Sequence, residues 1–97
     1  MSILKWLEKW YRSNCSDSSW DNIYGISICT LDNPGWLVKI ELTGTPLEGS
    51  DFENFSNDNG EDDWIVCRVN NDVFEGMGDS DKLEEILVIF RKWAISQ

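Results

Sequence analysis

Seven carboxylates, Glu48, Asp51, Glu53, Asp58, Glu61, Asp62 and Asp63, fall within sixteen consecutive residues that contain no Lys or Arg. Three chemistries could use such a run: a hard cation, an acid–base pair, or a basic partner. A calcium loop of the EF-hand type needs oxygen ligands at positions 1, 3 and 5, Gly at 6 and Glu at 12. With Gly60 at position 6, Phe55 falls at position 1 and Val66 at position 12, and Gly49, Gly76 and Gly78 fail similarly. Adjacent carboxylates such as Asp62 and Asp63 point to opposite faces of an extended strand, so they do not converge on one substrate as acid and base. What survives is an acidic surface for a basic partner, beside the plainer alternative of a solvated loop.

The other reactive types give less. Cys15, Cys29 and Cys67 are odd in number and lack CxxC spacing, which argues against a disulfide framework and a thiolate zinc site. Cys29 and Cys67 are expected inside strands, without the electropositive setting a reactive thiol needs. The chain has no His, which removes His–metal sites, a His general base and a Ser-His relay. Gly76-Met77-Gly78-Asp79 has the outline of a phosphate cradle but lacks the third Gly and the Lys-Ser/Thr of a P-loop. Asp79 and Asp81 would repel phosphate, and the segment reads as a turn entering a helix. No catalytic, cofactor-binding or metal-binding residue is therefore assigned. Of the six Trp, Trp6, Trp10, Trp20 and Trp93 are expected in the core, where a short chain needs their area. Trp36 and Trp64 stand at strand starts, next to Gly35 and Asp63, and are candidate interface anchors.

Length and charge bound the rest. Ninety-seven residues predict one domain over 1–97, and 41% apolar with 27% charged residues is a folded composition. The 18 acids and 8 bases give −10, and residues 13–81 carry 15 of those acids against Lys39 and Arg68 alone. Such a chain is a poor fit to nucleic acid or to an anionic membrane surface, both of which want clustered Lys and Arg. Lys5, Glu8, Lys9 and Arg12 interrupt the apolar N-terminus where a secretory core would be uncharged, and no apolar run is long enough to span a membrane. A cytoplasmic location is expected, in which the sequons at Asn14 and Asn54 would go unused.

The elements that must position these residues follow from periodicity. Ile3, Leu7 and Tyr11, with Trp6 and Trp10 alongside, predict a helix over 2–13, ended by the turn chemistry of 13–19. Residues 23–31 alternate, with Tyr24, Ile26 and Ile28 on one face, and residues 36–43 alternate again. Between them Asn33-Pro34-Gly35 predicts a type II turn and hence a hairpin. Residues 44–62 read as a loop pinned by Phe52 and Phe55. Residues 64–70 form a third strand, 73–75 a short fourth, and 81–95 a helix with Leu83, Ile86, Leu87, Phe90 and Ala94 in one stripe and Trp93 on its flank. Asp81 and Glu84 resemble a capping box. The expected fold class is α+β: an antiparallel sheet of three to four strands with the N- and C-terminal helices packed on one face, in the order α-β-β-β-β-α.

Tyr24-Gly25-Ile26, Thr30-Leu31-Asp32-Asn33-Pro34-Gly35-Trp36, Asp63-Trp64, Phe74-Glu75-Gly76 with Gly78-Asp79, and Leu83-Glu84-Glu85-Ile86 with Phe90 and Trp93 occur in an order and spacing that resemble the immunity protein 53 family of bacterial polymorphic toxin systems. The likeness runs over roughly residues 4 to 94, and the Thr-Leu-Asp-Asn-Pro-Gly-Trp run is its most specific part. The resemblance implies an α+β fold and a cytoplasmic antidote that binds a toxin encoded by a neighbouring gene. Many such toxins are nucleases, whose phosphate-holding sites are basic. On that reading Asp51, Glu53, Asp58, Glu61, Asp62 and Asp63 form the electrostatic partner surface, and Trp36 and Trp64 the anchors. Two other readings stand beside it: an acidic adaptor or nucleic-acid mimic for a different basic protein, and a small carboxylate-dependent enzyme.

Overall fold

The computed structural model describes residues 2–14 and 25–97. Its elements are α1 (Ile3–Asn14), β1 (Ile26–Leu31), β2 (Gly35–Glu41), β3 (Phe55–Asp58), β4 (Trp64–Asn70), β5 (Val73–Gly78) and α2 (Leu83–Ser96). The strands form one sheet in the order β1-β2-β5-β4-β3, antiparallel throughout. The α+β class is as expected, with five strands rather than three to four. Cys15, Trp20, Tyr24 and the turn residues 15–19 lie outside the described residues.

Strand alternation decides which side chains meet the helices. Register places Val38, Gly76 and Cys67 in one row across β2, β5 and β4, and Ile40, Phe74 and Val69 in the next. Val38, Ile40, Phe74, Ile65 and Cys67 are buried, as are Ile86, Leu87, Phe90 and Trp93 of α2. Phe74 and Phe90 meet at 5.1 Å across the layer with their rings tilted by 59°, and Trp6 and Trp10 of α1 meet Phe90 edge-on at 6.0 and 5.1 Å. Ile3 and Leu7 complete the buried stripe of α1. Tyr11, expected in that stripe, is 44% exposed; the stripe turns toward Trp6 and Trp10 instead.

Four local expectations are corrected. The fourth strand runs on through Gly76 and Gly78 rather than turning at Gly76. Glycine serves there because a Cβ on Gly76 would collide with Ile86 Cγ2, so its absence sets how closely α2 approaches the sheet. The β1–β2 turn is not type II, since Gly35 does not take a positive φ; Leu31 pairs with Gly35 across a three-residue loop. Gly35 is needed for a different reason: a Cβ there would strike the Gly78 carbonyl oxygen. Residues 55–58 form edge strand β3, and Phe55 is 40% exposed rather than pinned to the core, whereas Phe52 packs edge-on against Phe74 and Trp93. Finally, α2 has no side-chain cap from Asp81: the N-cap position falls one residue later, on Lys82, and the Asp81 N–H itself is bound by the Asp79 carboxylate at 2.8 Å.

Candidate partner-binding site

Three connections meet at one end of the sheet: the β1–β2 turn at 32–34, the β3–β4 loop at 59–63, and the segment from Asp79 to Lys82 that leads into α2. The β3–β4 loop is closed by backbone bonds from Asn59 N–H to Asp63 O (2.8 Å) and from Asp63 N–H to Gly60 O (3.2 Å). Gly60 takes φ 129°, open to glycine alone, and its N–H is bound by Asp58 Oδ1 at 3.0 Å. The loop backbone is therefore shaped by its own hydrogen bonds.

Behind the loop lies a charged latch. Asp79, only 3% exposed, accepts the Trp64 N–H on Oδ2 at 2.8 Å and returns its own N–H to Trp64 O at 3.1 Å. Lys82 Nζ sits 2.8 Å from Asp79 Oδ2 and 2.8 Å from Asp63 Oδ1. The Lys82 ammonium holds the Asp79 carboxyl down to about 2, against the upward pull of desolvation and with help from the Asp81 and Trp64 N–H groups. Asp63 is lowered mainly by the same ammonium. The two carboxylates in turn raise Lys82, with the Asp63 bond foremost. Asp63 is thus paired with Lys82 of its own chain, although its side chain stays 58% exposed.

In front of the latch is an open cleft of about 640 Å³, lined by Asn33, Pro34, Asp58, Gly60, Glu61, Asp62 and Trp64. Glu61 and Asp62 are exposed, and neither side chain has a hydrogen-bond or ion-pair partner among the described residues. Trp64 is half-buried, with its backbone fixed on both sides by Asp79. Chemically, the cleft brings an aromatic residue and Pro34 beside three carboxylates, groups able to meet a cationic, partly apolar partner. Among the described residues, no three thiol or carboxylate groups could together hold a metal ion.

Of the eight residues singled out by sequence, Asp58, Glu61, Asp62 and Trp64 come together here, with Asp63 directly behind. Asp51 and Glu53 lie elsewhere. The Asp51 carbonyl accepts the Trp93 indole N–H at 2.9 Å, and Trp93 is eleven residues beyond Lys82, about 16 Å along α2 at 1.5 Å per residue. Trp36 points to the helix side of the sheet, opposite to Trp64 by strand parity, and donates its indole N–H to Ser80 O at 3.0 Å. Sequence reasoning missed Asp79 and Lys82 as positioning residues. The available signal was that Lys82 is the sole base between Arg68 and Arg91.

A family model described as immunity protein 53 matches residues 4–95. The chain belongs to the immunity protein 53 family. No curated protein and no solved structure matches it. The matched span runs from α1 into the last turns of α2, so both walls of the cleft and the latch behind it belong to the immunity protein 53 domain. Membership in an immunity protein family implies toxin neutralisation as its role and a cognate toxin as its partner. No helix among the described residues is long and apolar enough to cross a membrane.

Proposed function

We propose that this immunity protein neutralises its toxin by stoichiometric binding at the acidic end of the sheet, without catalysis, in the cytoplasm of the bacterium that makes both. The observation that carries this reading is the convergence of Trp64, Pro34, Asp58, Glu61 and Asp62 on one open cleft in a chain of charge −10. Glu61 and Asp62 steer a basic partner, since complementary fields raise association rates toward about 10⁸ M⁻¹s⁻¹ at low salt. Trp64 supplies the desolvated anchor. Asp63 and Trp36 position the walls of the cleft, and Asp51 and Glu53 add to the long-range field. A nuclease toxin, with a basic phosphate-holding site, is the class this surface fits best.

The test is protection. Cells producing the toxin domain encoded beside this gene should survive when the immunity protein is co-produced, and the two should co-purify at equal stoichiometry. Protection lost on reversing Glu61 and Asp62 while the fold is kept would tie the activity to the cleft. A chain that instead binds several unrelated basic proteins with similar strength would favour an acidic adaptor. Turnover of a substrate would revive the carboxylate enzyme.

A further inference from the structure

β1 is an edge strand: β2 lies along one side, and among the described residues nothing pairs with the other. Natural proteins blunt such edges by shortening, charging, bulging or covering them, because open N–H and C=O groups template pairing with another chain. Among the described residues β1 shows none of these devices. It pairs with β2 without a bulge over six residues, Ile-Ser-Ile-Cys-Thr-Leu, with no charge and no proline in a chain that is 27% charged. Its four central residues are exposed, Ile28 at 41%. The opposite edge, β3, has four residues and ends in Asp58.

The direction of the open groups is set by the ladder. Glu41 donates its N–H to the Gly25 carbonyl at 2.8 Å, continuing the register in which Ile26 faces Ile40. In an antiparallel pair the hydrogen-bonded positions alternate, so the odd-numbered residues bond to β2. The N–H and C=O groups of Ile26, Ile28 and Thr30 therefore point off the sheet. On the helix side, Leu4, Leu7, Glu8, Tyr11 and Ile26 line a groove of about 290 Å³ next to this edge, and Leu4 is 57% exposed.

We propose that β1 pairs antiparallel with β1 of a second copy of this chain, about a two-fold axis at Ile28, joining the two sheets into one. This register sets Ile26 opposite Thr30, Ser27 opposite Cys29 and Ile28 opposite its own copy, and it engages all the outward groups of both strands. A two-fold contact must be self-complementary. β1 meets that demand without bringing carboxylates together, since it carries no charged residue. The apolar groove beside Leu4 and Tyr11 extends the contact from backbone to side chains. Because each copy carries −10, the remaining long-range repulsion is relieved by salt. The dimer tightens with salt, where capture of a basic toxin weakens. The edge shares no residue with the lining of the acidic cleft.

Light scattering on the full chain, over a concentration series at low and high salt, tests this. The mass should rise from 11.2 kDa toward twice that value, more steeply at high salt. Ile28→Glu places two carboxylates at the axis and should hold the mass at the monomer value with an unchanged circular dichroism spectrum. Ile28→Pro, which removes an outward N–H and leaves the bonds to β2, should do the same. A wild-type chain that stays monomeric at every concentration and salt overturns the proposal, as does a dimer that persists in either folded variant. A monomeric chain whose toxin affinity falls on Ile28→Glu would assign the edge to the toxin and equally overturn the dimer.

Discussion

Asp79 and Trp64 are tied twice: the Trp64 N–H reaches Asp79 Oδ2 at 2.8 Å and the Asp79 N–H reaches Trp64 O at 3.1 Å. Lys82 then clamps Asp79 to Asp63. The aromatic wall of the cleft is thereby fixed to the start of α2 through a buried carboxylate.

That latch sets an acid limb of stability. Asp79 falls from an ordinary 3.8 to about 2 in the folded chain, so its contribution is fully present above 3.8 and is lost as pH drops toward 2. Asp63 shifts in the same direction. Asp79→Asn should lower the urea midpoint at neutral pH and flatten the decline between pH 4 and 2 relative to wild type. Equal pH slopes for the two proteins would contradict the latch.

Reversing Glu61 and Asp62 to Lys should slow association with the toxin by about tenfold at low salt and flatten its salt dependence, as expected when steering charges are removed. The same reversal at Asp51 and Glu53, at the far end of α2, should have a smaller effect. Stopped-flow kinetics at several salt concentrations separates the two patches.

The two tryptophan candidates, on opposite faces of the sheet, should part company. Trp64→Ala should weaken toxin binding by at least about 2 kcal/mol, or thirtyfold, chiefly through faster dissociation. Trp36→Phe keeps an aromatic ring but loses the indole donor to Ser80 O, and should cost about 1 kcal/mol of stability with a much smaller loss of toxin affinity than Trp64→Ala. Paired binding and denaturation measurements on both variants decide this.

Gly76→Ala puts a Cβ into Ile86 and should destabilise the chain by about 1–3 kcal/mol in urea unfolding, the usual range for overpacking. The same glycine marks where the sequence could be misread. Helices and central strands were legible because Leu83, Ile86, Leu87 and Phe90 repeat at helical spacing and Val38 and Ile40 alternate. Gly76 and Gly78 looked like a turn because a glycine leaves no side chain to show the period; their role depends on α2, which is distant in sequence. Phe55-Ser56-Asn57-Asp58 hid as loop for a related reason: an edge strand pairs on one side only and needs no apolar face. At the site, charge showed where the surface is, since Asp58, Glu61 and Asp62 do converge. It did not show which acids are paired within the chain, and Asp63 looked equivalent to Asp62 until the fold brought Lys82 to it.

Cysteine chemistry should follow burial. Desolvation, with the nearby Glu85 charge second, pushes the Cys67 thiol up to about 12, whereas Cys29 is exposed on β1. Alkylation at mildly alkaline pH followed by peptide mapping should therefore label Cys29 in the native chain and Cys67 only after denaturant is added.

The most direct measurement is calorimetry of this chain with the toxin domain encoded beside its gene, at two salt concentrations. One-to-one binding that weakens as salt rises, and that loses its salt dependence when Glu61 and Asp62 are reversed, is the predicted result. Absence of binding would contradict the account, and tight binding unaffected by salt and by those reversals would remove the acidic cleft from the interface.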